Sequence, residues 1–381
     1  MPMNTIKALE TSDIIVIKIG TALVVDGQAA VKSSWLSALA QDIKPLISLH
    51  KKIVIVSSGA VALGRKAMGI ALDVPPKSIP LEKKQAASAV GQYYLFDAYH
   101  RAFQAEGLQL AQVLLTMSDT ENRRMHLNAR ATLNALLERG IIPVINENDT
   151  ISTGEIRFGD NDRLASRVAQ MIEAQSVILL STTEGLYTAN PDTHPDAIHL
   201  PLIETLSEEH ISMAGDAVAG LSTGGMKSKI EAAMTATRAG IHMIIANGRA
   251  EHALKAILED ITTRTTLFKA QGTDQNARKR WIGAHLRPKG TIIVDAGAIT
   301  ALKNGKSLLP IGVKTVKGTF ERGDAVEIQT LEGKKLGLGL SAYNAADAQK
   351  IIGQNSERIA EILGYAGRSE LIHRNDMALS F

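Results

Sequence analysis

Ile14-Ile15-Val16-Ile17-Lys18-Ile19, followed at once by Gly20-Thr21, decides the fold. A run so continuously β-branched and apolar reads as a strand covered on both faces, as strands of a parallel sheet are. The lysine at its carboxyl end faces the crevice where open α/β sheets bind their ligands. Gly20 lets a phosphate approach the backbone closely, and Lys18 can neutralise its charge.

Working outward, the same alternation continues to about residue 250. The predicted strands are Ile53–Ser57, Leu108–Leu115, Ile141–Ile145, Val177–Leu180 and His242–Ala246. Between them lie helical stretches at Ser34–His50, Gln85–Glu106, Glu121–Arg139, Arg163–Ala174 and Met226–Ala239. Strand and helix in alternation predict an α/β domain: an open, mostly parallel sheet in an αβα sandwich. Near residue 270 the pattern changes. Gln271–Arg280 is polar and turn-rich, and short strands follow at Gly290–Val294, Gly312–Val316, Ala325–Thr330 and Lys335–Leu340. The chain is therefore divided into a main domain at 1–270, a linker at 271–286, a small β-barrel-like unit at 287–366 and a C-terminal tail at 367–381.

Composition narrows the chemistry. None of the 381 residues is a cysteine, which excludes disulfides, thiolate-ligated metals and a thiol nucleophile together. No HExxH or HxxxH spacing occurs, so no zinc site is expected. No GxGxxG follows the first strand, which argues against a dinucleotide-binding dehydrogenase. The N-terminal stretch has no signal-peptide core and no apolar run is long enough to span a membrane, so a cytoplasmic location is expected. The net charge is only +3. It hides an asymmetry: residues 278–381 carry 16 Lys and Arg against 10 Asp and Glu, and residues 1–277 carry 26 against 29.

Four motifs concentrate the polar chemistry. Ser57-Ser58-Gly59 follows a strand and opens a helix, presenting backbone N–H groups to an anion. Asn146-Glu147-Asn148-Asp149 and Gly159-Asp160-Asn161-Asp162 gather more acidic and amide groups than helix capping requires, although Asp160 or Asn161 could serve as a cap. Gly220–Lys229 (GLSTGGMKSK) makes a glycine turn into a helix with Lys229 one turn in, a phosphate cradle without the GxxxxGK[ST] spacing. Glu184–Pro191 is a turn whose Leu186 and Tyr187 could flank a base.

Together these motifs carry a resemblance. IVIKIGT (15–21), VSSGAVALG (56–64), VINENDT (144–150), FGDNDRLAS (158–166), GLYTANP (185–191) and GLSTGGMKSK (220–229) stand in the order found in glutamate 5-kinases, of the amino acid kinase family. VDAGAITAL (294–302), SLLPIGV (307–313), GTFERGD (318–324) and LGLGLSAYN (336–344) look like a PUA domain. The resemblance implies the amino acid kinase fold and ATP-dependent phosphorylation of the L-glutamate γ-carboxylate, the first step of proline biosynthesis, with ATP and Mg²⁺. It implies that Lys18, Lys229 and Asp162 are catalytic, the lysines on the transferring phosphoryl group and the aspartate orienting them. Ser58, Asp149 and Asn161 would bind glutamate, with Asn146 and Asp160 in the same motifs. Lys18, Ser181, Thr182 and the run Thr223, Gly224, Gly225, Met226, Lys227, Ser228 and Lys229 would bind the nucleotide. No protein ligand to a metal is assigned. Ser181-Thr182 departs from the Thr-Asp expected in relatives: the hydroxyl is kept and the acid lost. The resemblance further implies a homo-oligomer, dimer or tetramer, and a hand-over of product to glutamyl phosphate reductase. It also raises RNA binding by the PUA unit, which Arg278-Lys279-Arg280, Lys314, Lys317, Lys334 and Lys335 would serve unless they are merely a solvated face.

Overall fold

The structure is a computed structural model that describes residues 2–75, 78–152, 160–213, 225–259, 262–271 and 288–379. It splits into two compact units, Met1–Glu121 with Asn128–Gln271, and Asn122–Leu127 with Gly272–Phe381. Residues 272–287, most of the expected linker, lie outside the described ones.

Among the described residues the first unit is built on ten strands: β1 (Ile14–Ile19), β2 (Lys52–Val56), β3 (Leu110–Leu115), β4 (Ile142–Glu147), β5 (Ser176–Ser181), β6 (Leu186–Tyr187), β7 (His199–Leu200), β8 (Leu202–Ile203), β9 (His242–Asn247) and β10 (Thr265–Phe268). Eight of them form one sheet in the order β3-β4-β2-β1-β5-β9-β10-β8. From β3 to β9 every pairing is parallel, with β1 between β2 and β5. β10 runs antiparallel to β9 and carries β8 in parallel at the edge, while β6 and β7 pair as a separate ribbon. These four short strands were not foreseen, because two to four residues hold no readable period.

The helices are α1 (Pro2–Glu10), α2 (Thr21–Val24), α3 (Ser33–Ser48), α4 (Ala60–Ala67), α5 (Leu81–Ala105), α6 (Met117–Glu121), α7 (Arg123–Leu137), α8 (Asp160–Ile172), α9 (Glu208–Met213), α10 (Met226–Arg238) and α11 (Ala253–Glu259). Alternation along β1 assigns them to layers. Ile15, Ile17 and Ile19 enter one core with Leu36, Leu39 and Ile43 of α3, Leu95 and Phe103 of α5, and Leu254 and Ile257 of α11. Val16 enters the other, with Leu133 of α7, Val168 of α8 and Ala232 and Ala236 of α10. The expected αβα sandwich is therefore the observed one, with an antiparallel edge.

Helices α4 and α5 approach unusually closely. A Cβ built on Gly64 would stand 1.7 Å from Ala87 O, and one on Gly91 1.8 Å from Ala60 O. Only glycine fits either position, and this contact fixes where the inward face of α5 lies.

The second unit holds β11 (Gly290–Val294), β12 (Val313–Gly318), β13 (Ala325–Thr330), β14 (Lys335–Leu340) and β15 (Met377–Leu379). They form one sheet in the order β12-β11-β13-β14-β15, antiparallel except between β11 and β13. Among the described residues no strand pairing joins β12 to β15, although an antiparallel bridge links Leu308 to Ile372. Its core includes Ile292, Val326, Ile328, Leu371 and Ile372, all fully buried. Residues 367–381, set apart in the sequence as a tail, are thus part of this unit: Ile372 bridges to Leu308 and β15 covers the edge of β14. No described helix is long and apolar enough to cross a membrane.

Candidate active site

The period of two that sends Ile17 and Ile19 into one core sends Lys18 to the opposite face, the one covered by α8 and α10. The first turns of those two helices carry Asp162 and Lys229. Lys18 Nζ lies 2.5 Å from Asp162 Oδ1, and Lys229 Nζ lies 3.2 Å from Asp162 Oδ2. Ser228 Oγ donates to the same Oδ2 at 3.0 Å. All three ionic groups are buried, Asp162 to 1% exposure, Lys18 to 7% and Lys229 to 6%.

Two cations around one carboxylate leave a net positive charge facing the strand ends. Burial alone would raise the Asp162 carboxyl, but the adjacent Lys18 and Lys229 ammonium groups overcome this and hold it below the ordinary carboxylate range. Burial pushes the Lys229 ammonium down; Asp162 opposes that shift and the like charge of Lys18 adds to it. Such a site favours a ligand that brings negative charge.

Beside the ionic group stands an amide network. Asn161 Nδ2 lies 2.7 Å from Ser57 O, 2.7 Å from Ser58 Oγ and 3.1 Å from Asn146 Oδ1, and donates to each. Asn146 Oδ1 also accepts from the Glu147 N–H at 2.9 Å, and Asn146 Nδ2 donates to Gln92 Oε1 at 2.8 Å. Asn161 therefore does not cap α8; its side chain ties the ends of β2 and β4 together. Asp149, buried in the loop after β4, accepts from Ser88 Oγ at 2.6 Å. Ser57 Oγ bonds the hydroxyl of Tyr99, whose phenol burial pushes far above its ordinary range against the lowering effect of Ser57.

Lys18, Asp162, Lys229 and Ser228 thus form one group, and Ser58, Asn146 and Asn161 the adjoining one. Gly225 precedes α10 in extended conformation with no side-chain cap, so the first N–H groups of the helix have no capping side chain. Met226 is half-buried against the core, and Lys227 is exposed. Ser181 ends β5 opposite Asn247, its carbonyl accepting from Gly248 N at 2.8 Å, and Thr182 is exposed beside it. Thr223, Gly224 and the side chain of Asp160 lie outside the described residues. Ser88, Gln92 and Tyr99 were missed in the sequence. All three share one face of α5, which the close approach of α4 and α5 turns inward.

The sequence profile of the amino acid kinase family matches residues 13–247, and that of the PUA domain matches residues 290–363. The glutamate 5-kinase of Sinorhizobium fredii is 49% identical over 376 residues, covering 99% of this chain and 94% of that protein. That of Brucella ovis is 49% identical over 374 residues, covering 98% of this chain and 97% of its own. The chain therefore belongs to the glutamate 5-kinases of the amino acid kinase family and carries a PUA domain on its C-terminal side.

Proposed function

We propose that this protein transfers the γ-phosphoryl group of ATP to the γ-carboxylate of L-glutamate, giving ADP and L-glutamyl 5-phosphate. The observation that carries the reading is the Lys18–Asp162–Lys229 group, two buried ammonium ions sharing one buried carboxylate.

The attacking carboxylate is ionised at neutral pH, since its unperturbed pKa is roughly 4.3. No general base is required, and the barrier is the approach of an anion to a polyanion. Lys18 and Lys229 reduce that repulsion and stabilise the charge on the transferring group, while Asp162 keeps both aimed at it. The first N–H groups of α10, with Ser228 and Lys229 in its first turn, receive the nucleotide phosphates. Ser58, Asn161 and Asp149 hold the amino acid in line. Asn146 has both its polar atoms engaged by protein groups, so its part is to orient Asn161. Ser181 and Thr182, at the end of β5, contact the nucleotide in this reading. Mg²⁺, when bound with the nucleotide, would partly neutralise the charge of its phosphates. Among the described residues no group of three or more His, Asp or Glu is assembled to hold a metal ion.

The second unit gives limited support to an RNA partner. Two of the lysines set aside for that role are already paired, Lys314 with Asp295 at 3.3 Å and Lys335 with Glu327 at 2.8 Å. A cytoplasmic homo-oligomer handing its acyl phosphate to a reductase remains the organisation this reading favours.

The test is ATP-dependent hydroxamate formation with glutamate, N-acetylglutamate and aspartate, with and without Mg²⁺. Acyl phosphates react with hydroxylamine, so glutamate alone should give product. Preference for either other acceptor would overturn the assignment.

A further inference from the structure

Gln92 lies in the middle of α5, 7% exposed, and its position is set by the close contact of Gly91 with Ala60. Its side chain meets the site through Asn146, and the hydrogen-bond polarity of that contact is not free to vary. The Glu147 backbone N–H can only donate, so the Asn146 atom 2.9 Å away must be its carbonyl oxygen. The Asn146 amide nitrogen then faces Gln92, which must present its own oxygen at 2.8 Å. The Ser57 carbonyl can only accept, so the Asn161 atom 2.7 Å away must be its nitrogen, and that nitrogen also reaches Asn146 Oδ1. Two backbone groups therefore fix both carboxamides in one sense, whatever orientation is first drawn for them.

One consequence follows for Asn161. Its Nδ2 is spent on three acceptors within the protein, and its Oδ1 is buried with no partner among the described residues. A buried carbonyl oxygen without a donor is costly unless a ligand supplies one. The donor must be compact enough to enter between the strand ends, and the α-ammonium of an amino acid is such a group.

We infer that Gln92 is a positioning residue for substrate recognition: through Asn146 it holds the Asn161 carboxamide with Oδ1 turned toward the α-ammonium group of the bound amino acid. The inference rests on the proposed glutamate reaction and names which group of the substrate the network reads. Gln92 touches neither substrate nor phosphate. Its influence passes through Asn146, so it acts on binding of the amino acid and not on phosphoryl transfer.

The test replaces Gln92 by Leu, which offers no acceptor, and by Glu, which keeps one at the same reach. Steady-state kinetics would be measured on the folded full chain, with glutamate and with glutarate, the same dicarboxylic acid lacking the amino group. Gln92→Leu should raise KM for glutamate about 10-fold while KM for ATP and kcat stay within about two-fold, as loss of a hydrogen bond to a charged group made before the transition state predicts. Gln92→Glu should restore most of the affinity. Glutarate, as substrate or competitive inhibitor, should bind Gln92→Leu and the parent chain alike. A loss shared equally by glutarate, by ATP or by kcat would mean a general structural role and overturn the inference. So would an unchanged KM in Gln92→Leu, or no recovery in Gln92→Glu. A parent chain inactive on glutamate would instead overturn the functional reading itself, and this one with it.

Discussion

Lys18 Nζ stands 2.5 Å from Asp162 Oδ1, with the carboxylate side chain 1% exposed and the ammonium side chain 9%. A buried ion pair of this kind is a poor source of stability, since desolvation of both ions offsets their attraction. Its presence at the ends of β1 and α8, with a second lysine on the far oxygen, is explained by what the surplus charge does. The surplus is one positive charge, held where a negatively charged ligand can neutralise it.

Replacing Asp162 by Asn leaves two lysines buried without their counter-charge. The expected cost is about 3–5 kcal/mol of stability near neutral pH, the usual penalty for breaking a buried pair from one side. The pH dependence has a definite sign. The folded carboxyl is held below its ordinary value of 3.8, so the unfolded chain binds the proton more readily. The stability Asp162 contributes is fully present above 3.8 and is lost as pH falls through the lower folded value. Urea melts of both proteins from pH 7 downward should therefore converge only below pH 3.8. A constant gap across that range would contradict the assignment.

Lys229→Ala should keep most of the affinity for glutamate and lose most of kcat, because the ammonium acts on the charge that develops during transfer. Calorimetric binding of glutamate alongside turnover separates the two. Near-normal turnover would remove Lys229 from the mechanism.

Asp149 and Ser88 belong to the acceptor side of the site. Asp149→Ala should raise KM for glutamate far more than KM for ATP, and Ser88→Ala should do the same to a smaller degree, since the 2.6 Å bond between them only aims the carboxylate. Equal changes in both Michaelis constants would sink this division of labour.

Much of this was legible before any coordinates. The lysine of IIVIKI, the NEND and GDND clusters and the lysine one turn into α10 announced themselves because strand ends and helix starts are where α/β sheets gather ligands. Ser88, Gln92 and Tyr99 did not. They sit inside a 25-residue helix whose polar residues occur all round, and which of them face inward is settled by the Gly64–Ala87 and Gly91–Ala60 approach. That approach is a tertiary fact with no local signature. The strand Thr265–Phe268 was equally silent, four residues being too few to show a period.

The misread tail yields the last prediction. Residues 367–381 read as a C-terminal tail, yet Leu371 and Ile372 are fully buried and Met377–Leu379 pairs along β14. The fit is close: Gly337 in β14 has φ +150°, and a Cβ there would stand 2.1 Å from Ala378 O. A chain cut after residue 366 would forfeit this packing, with burial of Leu371 and Ile372 alone worth about 1.5–3 kcal/mol each. The second unit should then melt at a clearly lower temperature and become the first target of limited proteolysis. Gly337→Ala, which leaves every residue in place but crowds β15, should shift the same transition in the same direction by less. The two variants together separate loss of the strand from loss of chain length. If the shortened chain melts and resists protease as the full one does, these residues are a tail after all.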